Sequence, residues 1–344
     1  MKILVTGGTG FIGSHTVVEL QNAGFEPVII DNFANSNRSV LDGLRGILGR
    51  DVRFYEADCN DRAALSEIFE KEQLHGVIHF AANKAVGESV EKPLMYYRNN
   101  LDSTMLLLEV MQQHGVKNLV FSSSCTVYGQ PEKLPVTEAT PRLPAQSPYG
   151  NTKTICEDII RDVVHSGAAI KGIALRYFNP IGAHPSALIG ELPLGVPSNL
   201  VPFITQAAAG LREKITVFGD DYNTPDGTCV RDFIHVVDLA IAHVQALRFL
   251  DEKDTANSYD VFNIGTGEGH TVMELIKTFE EVNNLKLNYT IGPRRPGDVE
   301  KIYAQVDKAN DVLGWRAERS LGEGLKDAWR WQQRLGEKSM VESE

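Results

Sequence analysis

The sequence predicts an α/β fold, a Rossmann-like doubly wound parallel sheet with a smaller C-terminal α/β substrate domain, and three observations predict it. Short β-branched runs alternate with amphipathic stretches through the first half of the chain, the pattern of a parallel sheet covered by helices. A glycine-rich segment, Thr6-Gly-Gly-Thr-Gly-Phe-Ile-Gly13, lies between the first such run and the first amphipathic stretch. After Tyr177 the alternation gives way to a Gly/Pro-rich region from Pro180 to Pro202 and a polar stretch around Gly219 to Gly227.

In order, Lys2 to Thr6, Pro27 to Ile30, Val52 to Glu56, Gly76 to Phe80, Asn118 to Ser122 and Gly172 to Arg176 read as strands. Between them Ile12 to Ala23, Arg62 to Glu72, Tyr97 to Gln113 and Tyr149 to Val164 read as helices. A sheet wound this way binds ligands outside the carboxyl ends of its strands. Residues 1–180 are assigned to the Rossmann domain and 181–335 to the second domain. Val261 to Ile264 is strand-like again, so a segment near 230–265 returns to the first sheet. Residues 336–344 are polar and expected to fray.

Composition narrows the function. With 344 residues, 42% hydrophobic and 23% charged, the chain reads as an ordinary soluble enzyme. No apolar run approaches the length of a spanning helix, and the N-terminus opens on a strand-like Lys-Ile-Leu-Val, so a cytoplasmic protein with no membrane partner is expected. Cys59, Cys125, Cys156 and Cys229 have neither metal-ligand nor disulfide spacing, which suits a reducing compartment and no metal. A net charge of −11 argues against a nucleic-acid partner, because binding a phosphate backbone relies on surplus Lys and Arg. An anionic small molecule would need cations gathered locally in a cleft.

Two constellations carry chemistry. Gly8-Thr-Gly10-Phe-Ile-Gly13 allows a tight turn and close approach of a pyrophosphate to a helix N-terminus. Asp31, ending the second strand, can accept from a ribose hydroxyl and would repel a 2′-phosphate, which favours NAD over NADP; Arg38, able to accommodate that phosphate, ranks second. Tyr149 and Lys153 stand four apart in a helical segment, which puts phenol and ammonium on one face, about 5–6 Å apart at Cβ. A neighbouring cation that favours phenolate would make tyrosine a usable base near neutrality. Ser122-Ser-Ser124 ends the preceding strand and offers a hydroxyl to a substrate alcohol beside the expected nicotinamide.

These motifs resemble the extended short-chain dehydrogenase/reductase family, and longer blocks make the resemblance more specific. Asn83 to Val90, Ser122 to Gly129, Arg176 to Ser186, Asp226 to His235 and Arg294 to Asp298 closely resemble the UDP-glucose 4-epimerase (UDP-galactose 4-epimerase) family, from Met1 to about Gln332. The resemblance implies a tightly held NAD that is regenerated at each turnover, and a UDP-hexose inverted at C4 through a transient 4-keto sugar. It implies that Tyr149 is the base, that Lys153 lowers its pKa and holds the nicotinamide ribose, and that Ser124 hydrogen-bonds the sugar O4. The family's NAD positions fall here on Gly7, Gly10, Phe11, Ile12, Gly13, Asp31, Asn32, Asn35, Ser36, Asp58, Cys59, Phe80, Ala81, Lys84, Asn99 and Phe178, besides Ser124, Tyr149 and Lys153. Its substrate positions fall on Lys84, Asn179, Asn199, Leu200, Phe218, Arg231, Arg295, Asp298 and Ile302, with Lys84, Arg231 and Arg295 neutralising the diphosphate.

The chain departs from the family at Phe11 and Phe233 for Tyr, Ala82 for Gly and Cys125 for Ala, all expected to be packing changes. Ile302 stands where sugar-restricted relatives carry Tyr and N-acetyl-accepting relatives a small residue, so partial turnover of UDP-N-acetylhexosamines is expected. A nucleotide-sugar 4,6-dehydratase or UDP-glucuronate decarboxylase would need acidic residues after the active serine, where Cys125 and Thr126 stand. A UDP-glucuronate 4-epimerase and a non-catalytic NAD-binding sensor stay open as alternatives. The resemblance also implies a homodimer through helices around Leu101 to Gln113 and Ser147 to Val164, with Leu106, Leu107, Val110 and Met111 as contact or core.

Overall fold

The computed structural model describes residues 1–252, 258–295 and 298–341. The first half alternates β1 (Lys2–Thr6), α1 (Phe11–Asn22), β2 (Glu26–Asp31), α2 (Ser39–Leu48), β3 (Arg53–Glu56), α3 (Arg62–Glu72), β4 (Gly76–His79), α4 (Val86–Glu91), α5 (Pro93–Gln113), β5 (Asn118–Ser122), α6 (Pro148–His165) and β6 (Lys171–Tyr177). The second half holds β7 (Asn179–Ile181), α7 (Leu200–Ala208), β8 (Ile215–Phe218), β9 (Val230–Arg231), β10 (Phe233–His235), α8 (Val236–Glu252) and β11 (Tyr259–Ile264). It ends with β12 (His270–Thr271), α9 (Val272–Asn283), β13 (Tyr289–Gly292), β14 (Lys301–Ile302), α10 (Asp307–Leu313) and α11 (Leu321–Val341).

The central sheet has seven parallel strands in the order β11-β6-β5-β4-β1-β2-β3. Strand order reverses between β1 and β4, and the crevice beyond that point is where a doubly wound sheet receives its ligand. Because the sheet is buried on both faces, its strands are continuous apolar runs, and each face has its own core. One core packs Ile3, Val5, Ile29 and Ile78 with residues of α1 and α8; the other packs Leu4, Val28, Ile30 and Val77 with residues of α3, α5 and α6. A third core, around Ile204, Val217, Ile276, Phe279 and Leu325, joins α7, α9, α11 and β8 in the second half.

The structure departs from the sequence expectations in local ways. Seven helices of the described residues were not anticipated, α2, α4 and α7 to α11, and α5 begins four residues early because Pro93 pre-sets the first helical turn. The tail expected to fray from residue 336 instead continues α11 through Val341, while residues 342–344 lie outside the described part, as do 296–297 within the Arg294 to Asp298 block. Leu107, Val110 and Met111, which the sequence left between interface and core, are fully buried within the monomer on α5.

Candidate active site

The crevice at the strand-order switch is lined first by the glycine loop. Gly7 adopts φ +69°, where a Cβ would lie 3.0 Å from the Ala81 nitrogen, and a Cβ on Gly13 would lie 2.2 Å from the Gly7 oxygen. Only bare backbone lets the loop fold this tightly against β4. Gly10 caps α1 without a side-chain hydrogen bond, and Ser14 N–H is the first amide to reach the Gly10 carbonyl, at 2.9 Å. Helix geometry leaves the amides of residues 11–13 without in-helix acceptors, facing the cleft that Phe11, Ile12 and Gly13 line. Such an end suits a diphosphate.

Asp31 closes β2 with 8% of its surface exposed. Its carboxylate accepts from Thr9 N–H at 3.1 Å, Phe33 N–H at 2.9 Å and the Ser36 hydroxyl at 3.2 Å. Those bonds fix its orientation and leave acceptor capacity toward the cleft. Arg38 is turned away, paired with Glu56 and stacked over Phe33 at 5.0 Å. The choice of NAD over NADP therefore rests on Asp31. Asn32, Asn35, Ser36, Asp58, Cys59, Phe80, Ala81, Lys84 and Asn99 line the same cleft, with the Asn32 amide donating to Asp58 at 2.8 Å. This donor set, glycine backbone at an uncapped helix end beside an oriented carboxylate, fits a dinucleotide.

Tyr149 and Lys153 reach the other end of the cleft from α6, at 7% and 4% exposure. Ser147 caps α6 by accepting from Gly150 N–H at 3.2 Å, and Pro148 opens the first turn, so the helix starts where the tyrosine must point inward. Lys153 Nζ donates to the Ser122 carbonyl at 2.7 Å and lies 4.8 Å above the Phe121 ring. Burial pushes its pKa down to about 8, opposed by Cys156 and Glu157. Burial also pushes the Tyr149 phenol well above its ordinary value, Tyr177 adds to this, and a hydrogen bond with Ser124 pulls the other way.

Burial is thus the first cause of the Tyr149 shift, and the Lys153 ammonium is directed at a carbonyl. Ser124, 6% exposed, accepts from Thr126 N–H at 3.2 Å and so caps a short 3₁₀ turn, Cys125–Tyr128. Cys125 is no nucleophile, since burial pushes its thiol up to about 12.

The expected substrate residues come mainly from the second half, with Lys84 and Asn179 from the first. Lys84, 55% exposed at its side chain, stands 3.8 Å from Glu191, whose carboxylate accepts from the Asn199 amide at 2.6 Å. Asn199 precedes α7 and Leu200 begins it. Arg231 and Arg295 flank Asp298 at 3.6 and 3.8 Å, and Arg295 lies over Phe218 at 4.9 Å. Asn179 begins β7, paired with β10. Of these residues Lys84 alone lines the dinucleotide cleft, and neither Ser124 nor Phe178 does.

Two side chains are placed differently from expectation. Ile302, expected as a gate, is 4% exposed and packs with Val127, Tyr128, Val136 and Phe178, because pairing of β14 with β9 turns it into that core. Phe178, expected at the cofactor, is buried in the same cluster. Conversely Ile30, Asn60, Ser103 and Tyr177 line the cleft though no sequence signal set them apart. Tyr177 ends β6 beside the Ser122 hydroxyl at 3.3 Å, and its place within the Arg176–Ser186 block could have marked it.

A family model described as GDP-mannose 4,6 dehydratase matches residues 4–328. The chain is 51% identical over 333 residues to UDP-glucose 4-epimerase 2 of Arabidopsis thaliana, covering 96% of this chain and 94% of the relative. The solved UDP-glucose-4-epimerase of Stenotrophomonas maltophila, with bound NAD and formylated UDP-arabinopyranose, superposes with a TM-score of 0.95 at 46% identity over 98% of this chain and 99% of that one. That of Bifidobacterium longum, in complex with NAD+ and UDP, gives 0.93 at 46% identity over 97% and 98%. The dehydratase-named model spans a broader group, and an elimination would need carboxylic acids where Cys125 and Thr126 stand. Fold, cleft and likeness over nearly the whole length agree, and the chain belongs to the UDP-glucose 4-epimerase family.

Proposed function

We propose that this chain inverts C4 of UDP-hexoses with Tyr149 as the proton-transfer group, and that UDP-galactose and UDP-glucose are its substrates. The observation carrying this reading is the convergence on one cleft of the glycine loop, Asp31, Tyr149 and Lys153. Bound NAD supplies the hydride acceptor and donor at C4, and a positive charge while oxidised. Tyr149 takes the O4 proton and later returns it, so no net redox change remains. Ser124 holds O4 and passes hydrogen-bonding between it and the phenol. Lys153, tied to the Ser122 carbonyl, orients the cofactor ribose and adds a cation at that end.

The division of labour follows the two halves. Residues 1–180 with the return segment near 230–265 hold NAD, and residues 181–335 supply most of the UDP-sugar site, joined by Lys84, Asn179 and Arg231 from the NAD unit. Lys84, Arg231 and Arg295 grip the diphosphate, with Asn179, Asn199, Leu200, Phe218 and Asp298 around the nucleotide. A firm grip on UDP and a loose one on the hexose is a requirement of the reaction, since the sugar must offer both faces of C4. The finer range extends to UDP-N-acetylhexosamines because Ile302, though packed in the core with Tyr128 and Phe178, fills less of that family position than Tyr would. The protein acts as a cytoplasmic homodimer, with the half-exposed Met105 of α5 in the contact; sedimentation as a monomer would remove that assignment.

The test is to incubate purified protein, without added NAD, with UDP-galactose and separately with UDP-N-acetylgalactosamine. The expected products are UDP-glucose and UDP-N-acetylglucosamine. No product from the first would overturn the function; no product from the second alone would restrict the range to neutral hexoses.

A further inference from the structure

Beneath the reacting groups, α6 carries a third residue in register. Tyr149, Lys153 and Glu157 recur at intervals of four and so share one helix face. Glu157 is 2% exposed. On its carboxylate converge the Ser123 hydroxyl at 2.6 Å and the Arg176 guanidinium, through Nε at 2.9 Å and Nη2 at 2.6 Å. Arg142 stands 3.6 Å away on the outer side. Arg176, on β6, also donates to the Tyr128 hydroxyl at 3.1 Å, and that hydroxyl donates to Asn263 on β11 at 2.6 Å.

The two links to the short 3₁₀ turn matter most. Ser123 immediately precedes Ser124, and Tyr128 closes the turn that Ser124 caps. One buried, bidentate ion pair therefore holds both ends of the segment bearing Ser124 and, through the helix, the residue two turns from Tyr149. Buried ion pairs add little net stability, so one built this fully is better explained by the geometry it fixes.

We propose that Glu157, paired with Arg176, is a positioning residue for the epimerisation: through Ser123 it fixes the Ser124 hydroxyl relative to the Tyr149 phenol. This rests on the assignment of Tyr149 and Ser124 above. Glu157 also opposes the effect of burial on Lys153, which agrees with a role directed at this end of the cleft.

Ser123→Ala tests it directly, because it cuts the link to the loop while leaving the ion pair intact. The expected result is a fall in kcat of about tenfold, with KM for UDP-galactose and the thermal midpoint little changed, since small misplacement of reacting groups is costly to the chemical step. The deuterium isotope effect with UDP-galactose labelled at C4 should rise as that step becomes limiting. Unchanged kcat and isotope effect would overturn the proposal, as would kcat, KM and thermal midpoint all moving together. Glu157→Gln should act in the same direction, and if it does not fold, Ser123→Ala decides. Tyr149→Phe in parallel separates the failures: an active Tyr149→Phe removes the base assignment, whereas a dead one beside a normal Ser123→Ala removes only the role of Glu157.

Discussion

The cofactor end and the proposed sugar end of this molecule are built on opposite plans. At the first, the groups that matter are buried and already partnered: Asp31 with three donors, Lys153 on the Ser122 carbonyl, and glycines whose added Cβ atoms would strike backbone. At the second, Lys84, Arg295 and Phe218 are exposed by 40% or more, and the cations rest against Glu191 and Asp298 at 3.6–3.8 Å. The difference teaches what each end is for. A cofactor kept through the cycle wants a rigid cradle, and a substrate that enters, turns and leaves wants charges that can exchange partners.

Substitutions can break that contrast, and Tyr149→Phe should have the largest effect. Removing the proton-transfer group should cost roughly 10²–10⁴-fold in kcat, with NAD content and UDP binding retained. A loss below about tenfold would hand the proton to Ser124 instead.

Gly13→Ala strikes the rigid end. Its Cβ would sit 2.2 Å from the Gly7 oxygen, so the loop must shift, at about 1–3 kcal/mol for an overpacked site. The purified variant should carry little NAD, measured by absorbance of the released cofactor; full occupancy would mean the loop is not the cradle. Arg295→Gln strikes the exchangeable end and should raise KM for UDP-galactose by roughly tenfold, about 1.4 kcal/mol, without loss of NAD. If it emptied the NAD site instead, the division into two ends would fail.

pH acts on the stability of the fold and not on either end's chemistry. His15, His79 and His243 all lie in the cofactor half, and burial lowers them to about 3, about 3 and about 4 from 6.5. Their pKa is depressed by folding, so between those values and 6.5 the unfolded chain binds more protons than the folded one. Their contribution is intact above about pH 6.5 and is lost as pH falls toward 3–4, at about 1.4 kcal/mol per pH unit for each group inside that window. Urea midpoints should drop between pH 6.5 and 5, and His79→Gln should flatten the slope. An unchanged slope would mean that His79 is not held neutral in the fold.

The contrast also explains what could be read from the chain beforehand. The cofactor end is legible because each part is local: Gly7 to Gly13 and Asp31 belong to one β-α-β unit, and Tyr149 and Lys153 to one helical turn. Spacing along the chain then implies spacing in space. The sugar end draws Lys84, Asn199, Arg231 and Asp298 from four distant segments, which no periodicity connects, and only resemblance to a family found them. Ile302 shows the limit of that route, for a position counted along the chain says nothing of whether β14 turns the side chain to the sugar or into the core.

By itself the sequence determined the doubly wound sheet and the glycine cradle with its acid, and it singled out the tyrosine, lysine and serine proposed for the reaction, because alternation of apolar runs and fixed short spacings are properties of the chain. Tertiary structure alone decided the protonation environment of those groups. Desolvation depends on everything packed around a side chain, and it is the first cause of the shift at Tyr149. It also decided that Arg38 turns to Glu56 and that Glu157 meets Ser123 and Arg176, since a buried charge is placed by partners that only folding brings within reach.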